Sequence, residues 1–169
     1  MLETQDLILD KAQFSDWKAI WNNLWRHAES AKYMLWEPTR TAEEAQDRMR
    51  RTIAYQAEHE YAVFIYEKTS GQAIGFAGMR EIEPGVWEET GIALGPDYVG
   101  RGYGKQVLTA LMDEARARGG TMFRYACRQQ NLASQGLRRA CGFVFERSET
   151  VVDERSGEPY VLEYFTRAL

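Results

Sequence analysis

The chain has 169 residues, 44% of them hydrophobic and 12% aromatic, ample for one buried core and too apolar for a disordered chain. That length fits a single domain over residues 1–169. Lys and Arg total 21 against 25 Asp and Glu, a formal charge of −4, so no overall basic field exists to gather nucleic acid or an anionic membrane. The opening MLETQDLILD lacks the cationic start and apolar run of a signal peptide, and no apolar run reaches membrane-spanning length. Cys127 and Cys141 allow one bridge at most, and a reducing cytoplasm is the simpler setting.

Leu7-Ile8-Leu9 starts a first strand, and Ser15 is placed to cap a helix carrying Trp17, Ile20, Trp21 and Leu24. Thr41-Ala42-Glu43-Glu44 has capping-box spacing and opens a second helix to about Glu58. Tyr33 to Pro38 lies between them and is too rich in large side chains for an ordinary solvated loop. Strands at Tyr61–Glu67, Gln72–Ile82 and Val86–Leu94 form a meander, the last two joined by the turn pair Pro84-Gly85. A helix with Val107, Leu108, Leu111, Met112 and Ala115 on one face then leads to a strand over Thr121–Cys127. A crossover of that length favours parallel pairing of the two flanking strands. Asn131 caps a short helix, Gly142 stops it, and strands over Phe143–Val152 and Tyr160–Thr166 close the chain. The order is β-α-α-β-β-β-α-β-α-β-β, an α+β fold with a mixed, mostly antiparallel seven-stranded sheet, one parallel strand pair and flanking helices.

Gly100, Gly102 and Gly104 sit after a strand and before a helix, with Arg101 and Lys105 among them. A helix start exposes N–H groups without intrahelical partners, and bare glycines let phosphate oxygens approach them. A turn that merely joins strand to helix is the competing explanation. The glycine order matches neither a dinucleotide fingerprint nor a Walker loop.

The run Thr90 to Lys105 resembles the coenzyme-A motif of the GCN5-related N-acetyltransferase (GNAT) superfamily. Asn131-Leu132-Ala133-Ser134-Gln135-Gly136-Leu137, followed by Cys141-Gly142-Phe143, is similar to its second motif, and Leu2 to Leu9 resembles the opening strand of the ribosomal-protein-alanine acetyltransferase branch. The resemblance covers essentially the whole chain in the right order. It implies acetyl-CoA as cosubstrate, with the pyrophosphate on backbone amides from Gly100 to Lys105, the pantetheine on main-chain groups of Ile92 and Leu94, and Asn131 facing the coenzyme arm. One departure is Val99, where the family usually has Gln or Arg; a second is Arg138, where many relatives carry Tyr.

Acetyl transfer to an amine needs a base, donors for a developing oxyanion and a proton for the departing thiolate. Glu89 is the candidate base; the alternative is a cross-strand ion pair with Arg80. Ser134 is the candidate donor to the thiolate, against simple capping of its helix. Tyr33, Trp36 and Trp87, with Trp25 and Met34, could line an acceptor cleft or simply pack in the core. The Trp17 and Trp21 stripe reads as core, and Arg48, Arg50 and Arg51 read as a solvated helix face. His27 and His59 lack metal-ligand spacing, and no metal is expected. The expectation is therefore a cytoplasmic acetyl-CoA-dependent N-acetyltransferase acting on a protein N-terminus or small-molecule amine by direct transfer, with no nucleic-acid or membrane partner and a homodimer left open. Its rivals are a non-catalytic acyl-CoA sensor and a transferase of another acyl group.

Overall fold

The amino terminus doubles back on itself: Leu2–Glu3 (β1) pairs antiparallel with Leu7–Asp10 (β2), Leu2 opposite Leu9 and Glu3 opposite Ile8. Thr4 closes the reversal, donating its N–H to the Leu7 carbonyl at 2.9 Å and accepting from the Leu7 N–H on Oγ1 at 3.0 Å. This strand raises the count to eight where periodicity predicts seven, because two residues carry no alternation to detect. The structure, a computed structural model, describes all residues from Met1 to Leu169.

The first helical region changes pitch twice. A 3₁₀ turn over Phe14–Asp16 leads into Trp17–Ile20 (α1), and Trp21–Trp25 forms a π turn in which the Arg26 N–H reaches back to the Trp21 carbonyl at 3.2 Å. Its cap is Gln13, not Ser15, because the Asp16 carboxylate reaches back to accept from the Gln13 N–H at 2.8 Å. A short helix, Ala28–Ala31 (α2), follows. Thr41 caps Ala42–Glu58 (α3), its Oγ1 accepting from the Glu44 N–H at 3.2 Å. The reciprocal arm of this box goes to the Arg40 N–H at 2.8 Å.

The remaining elements are Val63–Glu67 (β3), Ala73–Glu83 (β4), Val86–Leu94 (β5), Tyr103–Ala117 (α4), Met122–Arg128 (β6), Leu132–Ala140 (α5), Val144–Val152 (β7) and Pro159–Ala168 (β8). The sheet order is β1-β2-β3-β4-β5-β6-β8-β7. Its one parallel ladder joins β5 to β6, Val86 opposite Met122 through Glu88 opposite Arg124, and the β6–β8 and β7–β8 ladders are antiparallel. No helix is long and apolar enough to cross a membrane.

The chain forms two compact units, residues 1–79 with 90–110 and residues 80–89 with 111–169. In the first, Ile20, Leu24, Trp25, Met49 and Phe64 form a fully buried cluster against which Trp17 and Trp21 pack. In the second, Phe123 and Phe165 are fully buried, and Phe143 meets Phe123 edge-on with centroids 6.3 Å apart. Cys127 and Cys141 are buried and unbridged in this unit.

Candidate active site

In the first unit the glycine stretch runs from the end of β5 into α4. Gly100 and Gly102 take φ of +78° and +79°, the left-handed region that favours glycine, and a Cβ at either would meet no protein atom within 4 Å. The bare backbone therefore faces open space at the start of a fifteen-residue helix, where first-turn N–H groups lack intrahelical partners. Gly104 lies in that first turn and Lys105 is exposed beside it.

Arg101 points elsewhere than expected. Its guanidinium lies 3.3 Å from Glu67 Oε1 and over the Tyr98 ring, 5.2 Å from the centroid. The same oxygen of Glu67 accepts from the Tyr103 hydroxyl at 2.9 Å, and the other accepts from Ser70 Oγ at 2.8 Å. Ser70 foremost, with Tyr103, Thr69 and the Arg101 charge, holds the Glu67 carboxyl below its usual range against the opposing effect of burial. A carboxylate on β3 thus braces both flanks of the loop, the support that exposed Val99 does not supply. Gln106, one turn into α4, adds a second tie: Oε1 accepts from Thr4 Oγ1 at 2.7 Å and Nε2 donates to Asp6 at 2.7 Å.

The first unit also holds a cavity of about 620 Å³, within the usual range for small-molecule sites. Helix α3 supplies Glu44, Arg48, Arg51, Thr52 and Tyr55 to its wall, a spacing that marks one helical face. Trp25, Trp36 and Phe76 give it aromatic surface, and Thr90 and Gly91 bring β5 to its edge. Gly78 makes room for Thr90, since a Cβ there would lie 2.4 Å from Thr90 Oγ1. Gly91 has φ +140°, an irregular strand residue immediately before Ile92. Ile92 and Leu94 are both partly buried.

Of the expected acceptor-lining residues, Trp36 and Trp25 line this cavity and Tyr33 does not. Tyr33 stacks under Lys32 Nζ at 5.1 Å. Trp87 belongs to the second unit and is 6% exposed, packed so closely on Gly120 that a Cβ there would lie 2.8 Å from its ring. Arg48 departs from the solvated-face expectation. Its guanidinium lies over the Trp25 and Trp36 rings, 4.5 and 4.6 Å from their centroids, and donates to Thr39 Oγ1 at 3.0 Å. Arg50, by contrast, pairs with Asp47 on the exposed surface.

In the second unit the cross-strand ion pair expected for Glu89 belongs to its neighbour: Arg80 Nη2 lies 3.1 Å from Glu88 Oε1. Arg80 and Glu88 therefore share one face of the β4–β5 hairpin. Alternation turns Glu89 to the opposite face, where its charge acts on Tyr125. Tyr125 is buried and its Oη lies 2.6 Å from Ser134 Oγ. Burial first, then Glu89, raises the Tyr125 phenol well above its ordinary value, so it stays protonated. Burial likewise raises the Cys127 thiol, which argues against a nucleophilic thiolate.

Asn131 caps α5, its Oδ1 accepting from the Ser134 N–H at 3.1 Å. Ser134 therefore spends its N–H on the cap while its hydroxyl faces Tyr125. Arg138 donates through Nε to Gln135 at 3.1 Å and covers the Phe165 ring at 4.1 Å. The residue missed by sequence reasoning is Tyr125; its signal was the alternation Phe123, Tyr125, Cys127, which puts a phenol on the buried face of β6.

Residues 6–144 match a family model described as an acetyltransferase (GNAT) domain. L-methionine sulfoximine/L-methionine sulfone acetyltransferases of Pseudomonas paraeruginosa and Pseudomonas aeruginosa are 29% identical over 107 residues, 60% of this chain. The match spans 62% of those relatives, less than two thirds of their length. Among solved structures, a GNAT-family acetyltransferase from Bacillus anthracis aligns with TM-score 0.82 at 15% identity, covering 99% of this chain and 97% of its own. The microcin C7 self-immunity acetyltransferase MccE, in complex with acetyl-CoA and AMP, aligns with TM-score 0.83 at 17% identity over 98% of this chain and 94% of its own. An acetyltransferase from Salmonella typhimurium that modifies the N-terminal serine of ribosomal protein L7/L12 aligns with TM-score 0.78 at 22% identity over 98% and 96%.

Proposed function

The chain belongs to the GNAT acetyltransferase family, and from that premise we propose that it moves the acetyl group of acetyl-CoA directly to a primary amine within a ternary complex. The observation that carries this reading lies on β5: the aromatic cavity reaches Thr90 and Gly91, immediately before Ile92, on the strand that leads to the open glycine loop. A cofactor loop and an acceptor cavity served by one strand suit a direct transfer.

Acetyl-CoA supplies an acetyl group activated as a thioester. The loop fits its pyrophosphate, because Gly100 and Gly102 leave the backbone open and Lys105 adds a cation nearby. Arg101 serves by shaping the loop through Glu67. Main-chain groups of Ile92 and Leu94 hold the pantetheine arm and donate to the developing oxyanion. Asn131 caps α5 and is the residue that the family resemblance assigns to the coenzyme arm. Glu89 takes the amine proton, directly or through water. The acceptor nitrogen then bonds to the acetyl carbon while the carbon–sulfur bond breaks and its electrons leave on sulfur. The nitrogen's remaining surplus proton then passes to the thiolate through Ser134, backed by the Tyr125 hydroxyl, so that the pair ends as protonated as it began. Tyr125 thus stands in for the phenol absent at Arg138.

The relatives act on a protein N-terminal serine and on small amino-acid derivatives, and both classes offer a primary amine to such a site. The setting in this reading is cytoplasmic. The test is incubation with acetyl-CoA and a panel of amines and peptides while free thiol is followed. Thiol release dependent on an acceptor is expected. Coenzyme binding without turnover on any acceptor would point to a sensor, and absence of coenzyme binding would sink both readings.

A further inference from the structure

We infer that the acceptor carries a carboxylate and that Arg48, with Arg51, recognises it in the first-unit cavity. The inference deepens the acetyltransferase reading and rests on it for the word acceptor, although carboxylate binding stands independently. Arg48 and Arg51 both line the cavity and lie on one face of α3. The partners of Arg48 are neutral: Thr39 Oγ1 at 3.0 Å, the Glu37 carbonyl at 3.4 Å and the faces of Trp25 and Trp36. Two carboxylates also line the cavity. Glu44 accepts from the Arg40 N–H at 2.8 Å, and Glu37 accepts from Arg48 on its carbonyl at 3.4 Å.

A half-buried cation held this way has given up water and stands to gain from an anion. Burial and the neighbouring Arg51 charge push the Arg48 guanidinium down to about 10, which still leaves it protonated at neutral pH. Contact with two indole faces and the bond to Thr39 hold the guanidinium in place, so its remaining N–H groups are pre-organised for a planar anion. The aromatic walls of Trp25, Trp36, Tyr55 and Phe76 offer an apolar surface to the rest of the molecule. The ligand class is therefore a small amine bearing both a carboxylate and an apolar side, as in a free amino acid or an acidic peptide end. A cationic polyamine is disfavoured by the same arginines.

The first experiment needs no turnover. N-acetyl-L-phenylalanine and N-acetyl-L-phenylalaninamide are titrated against tryptophan fluorescence, since Trp25 and Trp36 flank Arg48. The carboxylate should bind about tenfold or more tightly than the amide, and Arg48→Gln should abolish the difference. Arg51→Gln, on the exposed edge of α3, should reduce it with the fold intact by circular dichroism. Equal binding of acid and amide by the native protein would overturn the inference, as would failure of both to bind. The second experiment compares acetylation of L-phenylalanine, L-phenylalaninamide and the peptide amide Ser-Glu-Phe-NH₂, the last carrying its only carboxylate on a side chain. Preference for either acid over the amide supports the carboxylate, and which one is preferred identifies its source. Turnover with no such preference overturns this inference alone. Carboxylate-selective binding with no acetyl transfer overturns the acetyltransferase reading alone.

Discussion

The Tyr103 hydroxyl donates to Glu67 Oε1 at 2.9 Å, tying the first residue of α4 to the last residue of β3. Arg101 approaches the same oxygen at 3.3 Å, so one carboxylate sets the path of the glycine loop from both sides. Glu67→Gln and Tyr103→Phe should each raise the KM for acetyl-CoA, by about tenfold for a hydrogen bond to a charged group, and leave the acceptor KM unchanged. Steady-state kinetics with each substrate varied in turn check this. Equal rises in both KM values would show general damage instead of a loop effect.

The same brace gives a pH dependence. Glu67 is held below its usual carboxyl range, chiefly by Ser70, so its contribution is complete above the unfolded pKa and is lost as pH falls through the depressed folded one. Acetyl-CoA affinity in the native protein should stay level from neutral pH down to about 4 and fall below that, as read by calorimetric titration. In Glu67→Gln the acid limb should flatten.

Gly102 separates conformational from contact effects. Its added Cβ would touch nothing in the protein but would sit at φ +79°, at a cost of about 1–2 kcal/mol for a non-glycine residue. Gly102→Ala should lower Tm by a few degrees and weaken acetyl-CoA binding beyond that backbone cost, because the methyl group occupies the phosphate approach. Unchanged affinity in the folded variant would exclude the loop as the pyrophosphate site.

Tyr125 and Ser134 touch at 2.6 Å and should behave as one proton-donating unit. Tyr125→Phe or Ser134→Ala should lower kcat by about ten- to a hundredfold, and the double variant should lose no more than the worse single one. Additive losses would show that they act separately.

Glu89→Gln should reduce turnover most at pH values below the acceptor amine pKa, where a base must remove the proton, and least above it, where the amine is already neutral. Its nearest competing explanation, an ion pair with Arg80, is weakened because Arg80 binds Glu88. A loss that is uniform across pH in a pH–rate profile would assign Glu89 a structural role.

Local chemistry made much of the fold legible. Thr41 and Asn131 accept the capping bonds expected of them, and Pro84-Gly85 divides β4 from β5 where turn residues predict. Beyond reach were features set by tertiary contact or by shifts of one residue. That Arg80 pairs with Glu88 and not Glu89 turns on a difference of one residue in which strand face meets which, and a Pro-Gly turn does not announce that. Arg48 reads as a surface charge because Trp25 and Trp36, whose rings it lies over, are 23 and 12 residues away in sequence. Tyr125 does not stand out in the sequence because the family's usual phenol sits on α5, whereas here the fold brings one to Ser134 from β6.

The most direct test is mass spectrometry of a primary-amine acceptor after incubation with acetyl-CoA carrying a deuterated acetyl group. The account predicts the labelled acetyl group on the acceptor nitrogen, one free coenzyme thiol released per product, and no label on Cys127 or Cys141. Coenzyme bound to the protein with every acceptor left unlabelled would contradict it.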